Sequence, residues 1–310
     1  MATETVLVTG GAGFIGSALC RALVARGTRV VAYDNLSFGR PDLLPDDPRC
    51  LLAEGDIRDP AALGRVLHDV DPRAVCHLAA IHFIPYCNAH PAEAMDVNVN
   101  GTRQVLEACR ERPPQRLLFA STAAVYPAED GPFTEEHAPG PIDVYGVSKL
   151  EGEELVRRFT AETAIPTVIA RLFNAFGPHD TNPHLIPDVL AQLVEGDTVR
   201  VGNLEPVRDY VHLEDLAAAL VALLDTRSEG SAVFNVGSGE GRSVREVVAA
   251  FEAAVGRPLR VVQEPGRVRR VERPRLVAHT GKLCQTGWRA QVGFQEGIRR
   301  LAAALAPAGG

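Results

Sequence analysis

The feature that most constrains the fold is a glycine-rich turn at residues 9–16, with the sequence Thr-Gly-Gly-Ala-Gly-Phe-Ile-Gly. Residues 6–8, Val-Leu-Val, precede it as an apolar run that predicts a buried strand, and Leu19 and Leu23 follow it with helical spacing. Glycines here allow a tight turn, a close approach of backbone to a pyrophosphate, and close packing of helix on strand. The free N–H groups at the start of such a helix attract phosphate. The order strand, turn, helix therefore predicts a dinucleotide site.

An acidic residue after the second apolar run indicates which dinucleotide is preferred. Asp34 stands eighteen residues after Gly16, directly behind residues 30–33, Val-Val-Ala-Tyr. A carboxylate at this point accepts hydrogen bonds from the adenosine ribose and repels a 2′-phosphate. We therefore predict NAD rather than NADP as the cofactor. The alternative is a glycine turn with an unrelated aspartate.

Composition narrows the class of protein. The chain has 310 residues and a formal charge of -7, and its basic residues are not clustered with aromatic residues, which argues against nucleic acid as a partner. No apolar run approaches the roughly 20 residues needed to cross a bilayer, and the first strand begins too early for a signal peptide. The six cysteines lack a C-x-x-C pair, which favours reduced thiols over a disulfide framework. We expect a cytoplasmic protein that binds neither membrane nor nucleic acid.

Short apolar runs alternate with helical stretches through the first half of the chain. Further strands are predicted at residues 51–54, 74–78, 116–120 and 167–171, and a helix from about 144 to 162. This alternation predicts an α/β fold, a doubly wound parallel Rossmann sheet with a smaller C-terminal α/β substrate domain.

The predicted domains divide after residue 171. Residues 1–171 are expected to form the NAD-binding Rossmann domain, with residues 208–233 returning to it. The substrate domain is expected to comprise residues 172–207 and 234–310. Short strands near residues 199–201 and 233–236 are assigned to the smaller domain.

A second group of residues carries candidate chemistry. Thr122 follows a predicted strand, and Tyr145 and Lys149 lie four residues apart on one helix face, with Asp143 as the predicted N-cap. A tyrosine hydroxyl has an ordinary pKa near 10, but an adjacent ammonium and a nicotinamide cation both favour the phenolate. The chain keeps Lys149 although it has 30 arginines and only 2 lysines. We predict that Tyr145 takes a proton from a substrate hydroxyl bound by Thr122 while hydride leaves for the nicotinamide; an exposed pair without function is the alternative.

The order of motifs along the whole chain resembles the extended short-chain dehydrogenases/reductases of the NAD-dependent nucleotide-sugar epimerase/dehydratase family, and most of all UDP-hexose 4-epimerases. The residues that carry the resemblance are 9–16, 34–36, 55–58, 77–80, 98–102, 121–126, 145–149, 171–178, 208–216 and 234–239. The resemblance implies a nucleotide-sugar substrate, a catalytic set of Thr122, Tyr145 and Lys149, and no metal. It also implies a homodimer packed through the helices near residues 98–111 and 144–162.

The predicted site combines the residues argued above with those that the resemblance adds. Predicted cofactor contacts are Gly10, Gly13, Phe14, Ile15, Gly16, Asp34, Asn35, Asp56, Ile57, Leu78, Ala79, Ala80, Asn98, Ser121, Tyr145, Lys149 and Phe173. Predicted substrate contacts are His82, Thr122, Asn174, Leu185 and Arg208. An arginine fork suits a diphosphate, although Arg208 and Asp209 could equally form a structural ion pair. His82 has an equal alternative as a histidine with a local partner.

The residues beside Thr122 favour one reaction within the family. In the dehydratases of this family an Asp-Glu pair normally follows this threonine, and in the decarboxylases a Ser-Glu pair follows it. In this chain Ala123 and Ala124 follow Thr122. A 4-ketoreductase commonly prefers NADPH, which Asp34 opposes. The predicted function is therefore an NAD-dependent nucleotide-sugar 4-epimerase that works through a transient 4-keto intermediate. The first alternative is an NAD(P)H-dependent nucleotide-4-keto-sugar reductase. A dehydratase or decarboxylase and a non-catalytic NAD-sensing protein are less favoured alternatives.

Two stretches depart from the family pattern. Glu264 and Arg267 stand where the 4-epimerases place an arginine first and an acid last. Arg269 or Arg270 is a candidate to replace the missing arginine; the alternative is that the nucleotide binds differently. Residues 278–282 resemble an Ala-Asp-x-Ser-Lys element that lacks its Asp and Ser. Other candidates for the sugar pocket are Tyr86 and Asn88, and His179, His184 and His212 are expected to be solvated rather than to bind a metal.

Overall fold

A computed structural model describes residues 4–180, 182–226, 229–268 and 273–305. The strands are β1 Thr5–Thr9, β2 Arg29–Asp34, β3 Cys50–Glu54, β4 Ala74–His77, β5 Arg116–Thr122, β6 Thr167–Leu172, β7 Asn174–Phe176, β8 Thr198–Val201, β9 Val207–His212, β10 Ser231–Val236, β11 Gly241–Ser243, β12 Arg260–Gln263 and β13 Arg275–Leu276. The helices are α1 Phe14–Ala25, α2 Pro60–Val70, α3 Ile84–Ala89, α4 Pro91–Met95, α5 Gly101–Glu111, α6 Val144–Thr163, α7 Leu185–Glu195, α8 Leu213–Asp225, α9 Val244–Val255, α10 Gly281–Cys284 and α11 Phe294–Ala302. A π turn, Asp96–Asn100, joins α4 to α5. In these ranges no helix has the length and apolar character needed to cross a membrane.

Seven strands form one parallel sheet in the order β10-β6-β5-β4-β1-β2-β3. The chain winds outward from β1 through β2 and β3, then returns to the other side of β1 and winds outward again through β4, β5 and β6. The order reverses between β1 and β4, and the carboxyl ends of parallel strands at such a point form the usual ligand crevice. The predicted doubly wound α/β fold is confirmed.

Alternating side chains of the strands build a hydrophobic core on each face of this sheet. Val8 of β1 packs in one core with Leu19 of α1 and Leu220 of α8. Its neighbour Leu7 points to the opposite face and packs in the second core with Leu106 of α5. Because successive residues of a strand point to opposite faces, the unbroken apolar run at residues 6–8 is what a strand covered on both sides requires.

The remaining strands form smaller sheets beside the carboxyl ends of the main one. Strands β11, β9 and β13 lie side by side, β7 pairs with β9, and β12 pairs with β8. Helices α7, α9 and α11 cover them, with Val189, Phe251 and Ile298 in a third core. This smaller unit forms one wall of the crevice.

The structure assigns two segments differently from the sequence analysis. The sequence pattern places residues 233–236 in the smaller domain, but β10 pairs along its full length with β6 in the main sheet. The sequence pattern also assigns residues 208–212 to the Rossmann domain, but in the structure they belong to β9 in a smaller sheet. The apolar runs predict strands in both places, and hydrophobic pattern alone does not determine which neighbour a strand pairs with.

A buried ion pair joins helix α6 to the main sheet. Glu153, fully buried on α6, accepts hydrogen bonds from Arg171 Nε at 2.9 Å and Nη2 at 2.8 Å, and from the Ser121 hydroxyl at 2.6 Å. Arg171 Nη1 also donates to the Tyr126 hydroxyl at 3.0 Å, which in turn donates to the Asn235 side chain on β10 at 2.7 Å. The network therefore links β5, β6 and β10 to the helix that carries Tyr145 and Lys149.

We expect Glu153→Gln to lower the free energy of unfolding by about 3 kcal/mol, because it leaves the buried Arg171 guanidinium without its counter-charge. Hydrogen bonds and charge from Arg171 hold the Glu153 pKa below its ordinary value despite burial. The contribution of ionised Glu153 to the free energy of unfolding is therefore fully present above the ordinary carboxyl pKa. It is lost as pH falls through the lowered pKa of the folded state. Urea titrations at pH 7 and at a pH well below 4, as low as the wild-type protein stays folded, measure this loss.

The matched control is Arg158→Ala on the same helix, which removes an exposed pair with Glu154. Exposed pairs contribute less than about 1 kcal/mol, so this variant should unfold close to wild type. An equal loss in both variants would contradict the assignment of the stability to the buried pair.

Candidate active site

A cavity of about 740 Å³ occupies the crevice at the carboxyl ends of β1, β2, β4, β5 and β6. It brings together nearly all predicted site residues from distant parts of the chain. Those on its wall are Gly10, Gly13, Phe14, Ile15, Gly16, Asp34, Asn35, Asp56, Ile57, Leu78, Ala79, Ala80, His82, Ser121, Thr122, Tyr145, Lys149, Phe173, Asn174, Leu185 and Arg208. The volume and mixed lining are those of a small-molecule site.

The glycine turn forms the floor of the cavity between β1 and α1. Gly10 has φ +70°, and a Cβ at this position would lie 2.7 Å from the Ala79 backbone nitrogen, so the turn and the neighbouring wall leave no space for a side chain. Helix α1 begins after Gly13, and in the described chain no side chain caps it and no acidic residue occupies its first turn. Uncapped N–H groups and a positive helix end suit an anion, so the residues present fit a dinucleotide pyrophosphate.

Asp34 lies beside this turn at the end of β2. Its carboxylate accepts hydrogen bonds from the backbone N–H of Ala12 at 3.0 Å and of Leu36 at 2.9 Å, which fixes it on the cavity wall. Asp56 is also on the wall, but Arg58 binds both of its oxygens and Asn35 donates to one of them at 3.0 Å. The hydrogen bonds from Arg58 hold the Asp56 pKa well below its usual range. Both carboxylates are therefore held in place, and Asp56 is ionised.

Asn98 is the predicted cofactor residue that is not on the cavity wall of the described structure. Its fully buried amide accepts from the Ile81 N–H at 2.8 Å and donates to the Ile81 carbonyl and to the Ser148 hydroxyl, both at 2.9 Å. The amide is engaged by the segment after β4 and by helix α6, and direct contact of Asn98 with the cofactor stays a prediction. Asn98 supports the wall from behind.

Thr122, Tyr145 and Lys149 meet on one side of the cavity. Asp143 caps α6 by accepting a hydrogen bond from the Gly146 N–H at 2.7 Å, as predicted, and the first turns of α6 then present Tyr145 and Lys149. Thr122 ends β5, and its hydroxyl faces the same side of the cavity, where it favours the Tyr145 phenolate. Three groups able to bind and deprotonate a hydroxyl therefore converge.

The two titratable groups have pKa values that burial controls. Burial raises the Tyr145 pKa above its ordinary value, and the Thr122 hydroxyl opposes this rise. Burial lowers the Lys149 pKa to about 7, against the effect of Glu153, and its Nζ lies 4.2 Å from the centre of the Phe119 ring. In the protein alone, desolvation of the phenolate therefore outweighs the effect of Thr122 on the Tyr145 pKa, and the lowering expected with a nicotinamide cation beside Tyr145 stays a prediction.

Histidines also line the cavity. His82 and His184 have ring centres 5.9 Å apart, and His184 Nδ1 lies 3.7 Å from the Asp180 carboxylate. His212 lies elsewhere, buried at the start of α8, where its ring accepts from the Glu214 N–H at 3.3 Å. Across the ranges that the structure covers, no group of three or more His, Cys, Asp or Glu side chains could hold a metal ion.

Arg273 is a cavity residue that sequence reasoning missed. It is buried, and it donates to the Ala124 carbonyl at 2.7 Å, to the Tyr126 carbonyl at 3.1 Å and to the Asp143 carboxylate at 3.2 Å. It therefore fixes both the loop after Thr122 and the N-terminus of α6. No motif marks it, because its partners lie more than a hundred residues away in the sequence.

Arg208 is on the cavity wall as predicted, and its Nη1 donates to the Arg273 carbonyl at 2.8 Å. Asp209 is fully buried and accepts four hydrogen bonds from Ser238, Gly239 and Ala278. The Asp209 carboxylate thus joins the turn after β10 to the segment after β13.

The departure at Glu264 and Arg267 also has a structural counterpart. Arg267 is on the cavity wall, where it donates to Asp188 of α7 at 2.8 Å and to Glu264 at 3.1 Å. Glu264 also accepts from Arg200 at 3.1 Å. Arg269 and Arg270, named above as candidates, lie outside the described residues. Asn88 is not on the wall of the described cavity; it accepts from the Val144 N–H at 3.2 Å.

Comparison with known proteins agrees with this geometry. Residues 6–237 match the family model described as the NAD dependent epimerase/dehydratase family. The chain is 35% identical over 312 residues to a UDP-glucose 4-epimerase of Rhizobium meliloti (strain 1021), with 94% of each chain covered. A solved UDP-glucose 4-epimerase of Thermotoga maritima, with UDP-glucose, gives a TM-score of 0.90 at 28% identity and covers 97% of this chain and 98% of that one. The Thermus thermophilus UDP-glucose 4-epimerase in complex with NAD gives 0.89 at 33% identity, covering 98% and 100%.

These similarities extend over nearly the whole chain. The family description and the Thermus complex both name NAD, so the cofactor predicted from the glycine turn and Asp34 is confirmed. The chain belongs to the NAD dependent epimerase/dehydratase family.

Proposed function

We propose that the protein is an NAD-dependent nucleotide-sugar 4-epimerase. The observation that carries the proposal is one cavity in which Thr122, Tyr145 and Lys149 stand near an uncapped helix N-terminus and Asp34. The relatives named UDP-glucose 4-epimerase support the same activity and make a UDP-hexose the first substrate to test. The finer assignments that follow rest on the side-chain geometry.

NAD bound in the cavity would supply a hydride acceptor that later returns the hydride. Gly10, Gly13 and the start of α1 would bind its pyrophosphate, and Asp34 would accept hydrogen bonds from its adenosine ribose. Lys149 would donate to the hydroxyls of the second ribose.

The hydroxyl of Tyr145 would accept the proton of the substrate 4-hydroxyl and return it after the keto-sugar has turned over in the cavity. Thr122 would bind the same hydroxyl and shorten the distance over which the proton moves. In the structure the Tyr145 pKa is raised by burial, so the phenolate has to be stabilised by positive charge that arrives with the cofactor. Arg208 would bind the diphosphate, which leaves the sugar free to rotate about it.

The residues after Thr122 favour epimerisation over the other reactions of the family. Ala123 and Ala124 are on the cavity wall and carry no acid or base for elimination or decarboxylation. A ketoreductase remains the second candidate because it needs the same three catalytic residues. A non-catalytic NAD-sensing protein would have no use for them.

A homodimer and a cytoplasmic location belong to the same proposal. The helices expected at the dimer interface, α5 and α6, lie side by side, and Val147 of α6 is exposed. Sedimentation at micromolar concentration would measure whether the chain is dimeric.

The deciding experiment identifies the bound cofactor and the product. The purified protein is denatured to release its cofactor, and the native protein is incubated with UDP-, dTDP-, ADP-, GDP- and CDP-hexoses. Co-purified NAD and a product inverted at C4 with unchanged mass are expected. Turnover that requires added NAD(P)H and gives a product with two more hydrogens than the substrate would contradict the epimerase proposal and support the ketoreductase.

Tyr145→Phe should lower kcat by a factor of about 10² to 10⁴, because it removes the group that moves the proton. The bound NAD content should stay near that of wild type, since the ring and helix α6 are retained. Steady-state kinetics and the absorbance of extracted NAD measure the two effects. A variant with wild-type kcat would refute the role of Tyr145.

Lys149→Met should stabilise the NAD-free protein while it abolishes turnover. The Lys149 pKa of about 7 in the folded chain is below the ordinary 10.5, so the unfolded chain binds more protons between these values and wild-type stability rises with pH there. Lys149→Met removes the cost of burying the ammonium. Its free energy of unfolding should exceed that of wild type by about 1–3 kcal/mol at pH 7, and the difference should shrink towards pH 10.

Lys282→Met is the matched control, because Lys282 is the other lysine of the chain and its Nζ also lies over an aromatic ring, 4.8 Å from the centre of Phe234. Urea unfolding of both variants at several pH values tests the prediction. A gain that is equal in the two variants, or independent of pH, would argue against it.

A further inference from the structure

The cavity wall after β4 has no regular secondary structure, yet it is held at two points. We call residues 78–81 the wall segment; all four line the cavity. The Ala79 N–H donates to the Thr9 hydroxyl at 3.4 Å, and the Ile81 N–H and carbonyl both bind the Asn98 amide. One anchor therefore comes from the end of β1 and the other from the π turn before α5.

The imidazole of His77 joins these two anchors. Its Nδ1 lies 2.7 Å from the Thr9 hydroxyl oxygen, and its Nε2 lies 2.9 Å from the Thr102 hydroxyl oxygen. The Thr102 hydroxyl also lies 2.6 Å from the carbonyl of Asn98. A continuous chain of hydrogen bonds thus runs behind the wall from one anchor to the other.

The chemistry of the groups fixes the direction of every bond in this chain. A carbonyl only accepts, so the single Thr102 proton goes to Asn98 and the Thr102 oxygen accepts from His77. The proton of the ring is therefore on Nε2, and Nδ1 accepts from the Thr9 hydroxyl. The Thr9 oxygen then accepts from the Ala79 N–H. Each donor in the series has one acceptor.

Burial makes this arrangement specific. Thr9, His77, Asn98 and Thr102 are at most 1% exposed, so an unpaired group among them would not be rescued by water. Burial and the nearby charge of Lys149 lower the His77 pKa to about 3. The ring is therefore neutral at physiological pH, as the directional chain requires.

We propose that His77, through its Nε2–H tautomer, is a positioning residue that couples the two anchors of the wall segment and thereby sets how firmly NAD is held. The inference rests on the proposed placement of NAD against this wall. His77 lies behind the described cavity wall, so it acts through Thr9 and Asn98 on Ala79 and Ile81. Gly10 packs against Ala79, and the wall segment therefore also sets the space left for the glycine turn.

The first test compares NAD release from the holoenzyme of three variants. His77→Phe keeps an aromatic ring but makes neither bond, and NAD release should be at least tenfold faster than in wild type. His77→Asn keeps a polar atom near the position of Nδ1, and His77→Gln keeps one near Nε2, so each should release NAD more slowly than His77→Phe.

The matched control is Val75→Ala in the same strand, which weakens the core but not the hydrogen-bond chain. This variant should have a lower free energy of unfolding than wild type, and its rate of NAD release should stay within twofold of wild type.

The second test measures coupling through the ring. Thr9→Val and Thr102→Val should each increase the rate of NAD release. In the double variant the fold-increase should be smaller than the product of the two single fold-increases, because either change alone already interrupts the hydrogen-bond chain. Independent, multiplicative effects would overturn the coupling while leaving the two anchors as separate supports.

The third test needs no variant and so remains decisive if His77→Phe fails to fold. Nitrogen-15 NMR of the wild-type protein, with the His77 ring signals assigned through their correlations to the His77 backbone, should show this ring as the Nε2–H tautomer with no titration between pH 5 and pH 9. A His77 ring with its proton on Nδ1, or titration of His77 near pH 6.5, would overturn the proposal. Wild-type protein that binds no NAD would instead overturn the proposed function, which separates the two failures.

Discussion

The close contact between the turn after β1 and the wall segment after β4 is the constraint on which the rest of the site depends. Gly10 can approach the Ala79 backbone only because it has no side chain, and its positive φ turns the chain directly into α1. This contact leaves the first N–H groups of α1 open to the cavity. The same contact brings the wall segment beside the place where a dinucleotide has to lie, so the floor and the wall of the cavity are determined together.

Much of this arrangement could be predicted from the sequence because it repeats simple periodic patterns. The strands of the main sheet up to β6, the extent of α6 and Asp143 as the cap of α6 all follow from local hydrophobic spacing or from a side chain that hydrogen-bonds its own neighbours. The glycine turn and Asp34 likewise belong to one short segment. Local features of this kind need no knowledge of the rest of the fold.

The features that could not be predicted depend on partners far away in the sequence. The Asn98 amide faces Ile81 and Ser148, and Arg273 reaches back to Asp143, so neither role has a local signal. The Tyr145 pKa depends on how completely the surrounding elements exclude water, which a four-residue spacing does not describe. The partner of β10 was missed for the same reason, since the strand is apolar in either location.

The position of β10 has a consequence for how the protein is made. Strand β6 ends at Leu172 and its neighbour β10 begins only at Ser231, so the ribosome must synthesise much of the smaller unit before the main sheet can close its edge. Until then β6 exposes an unpaired edge, and the Tyr126 hydroxyl lacks its Asn235 acceptor. The nascent chain therefore cannot complete the main sheet until it has already synthesised the first part of the smaller unit, up to β9.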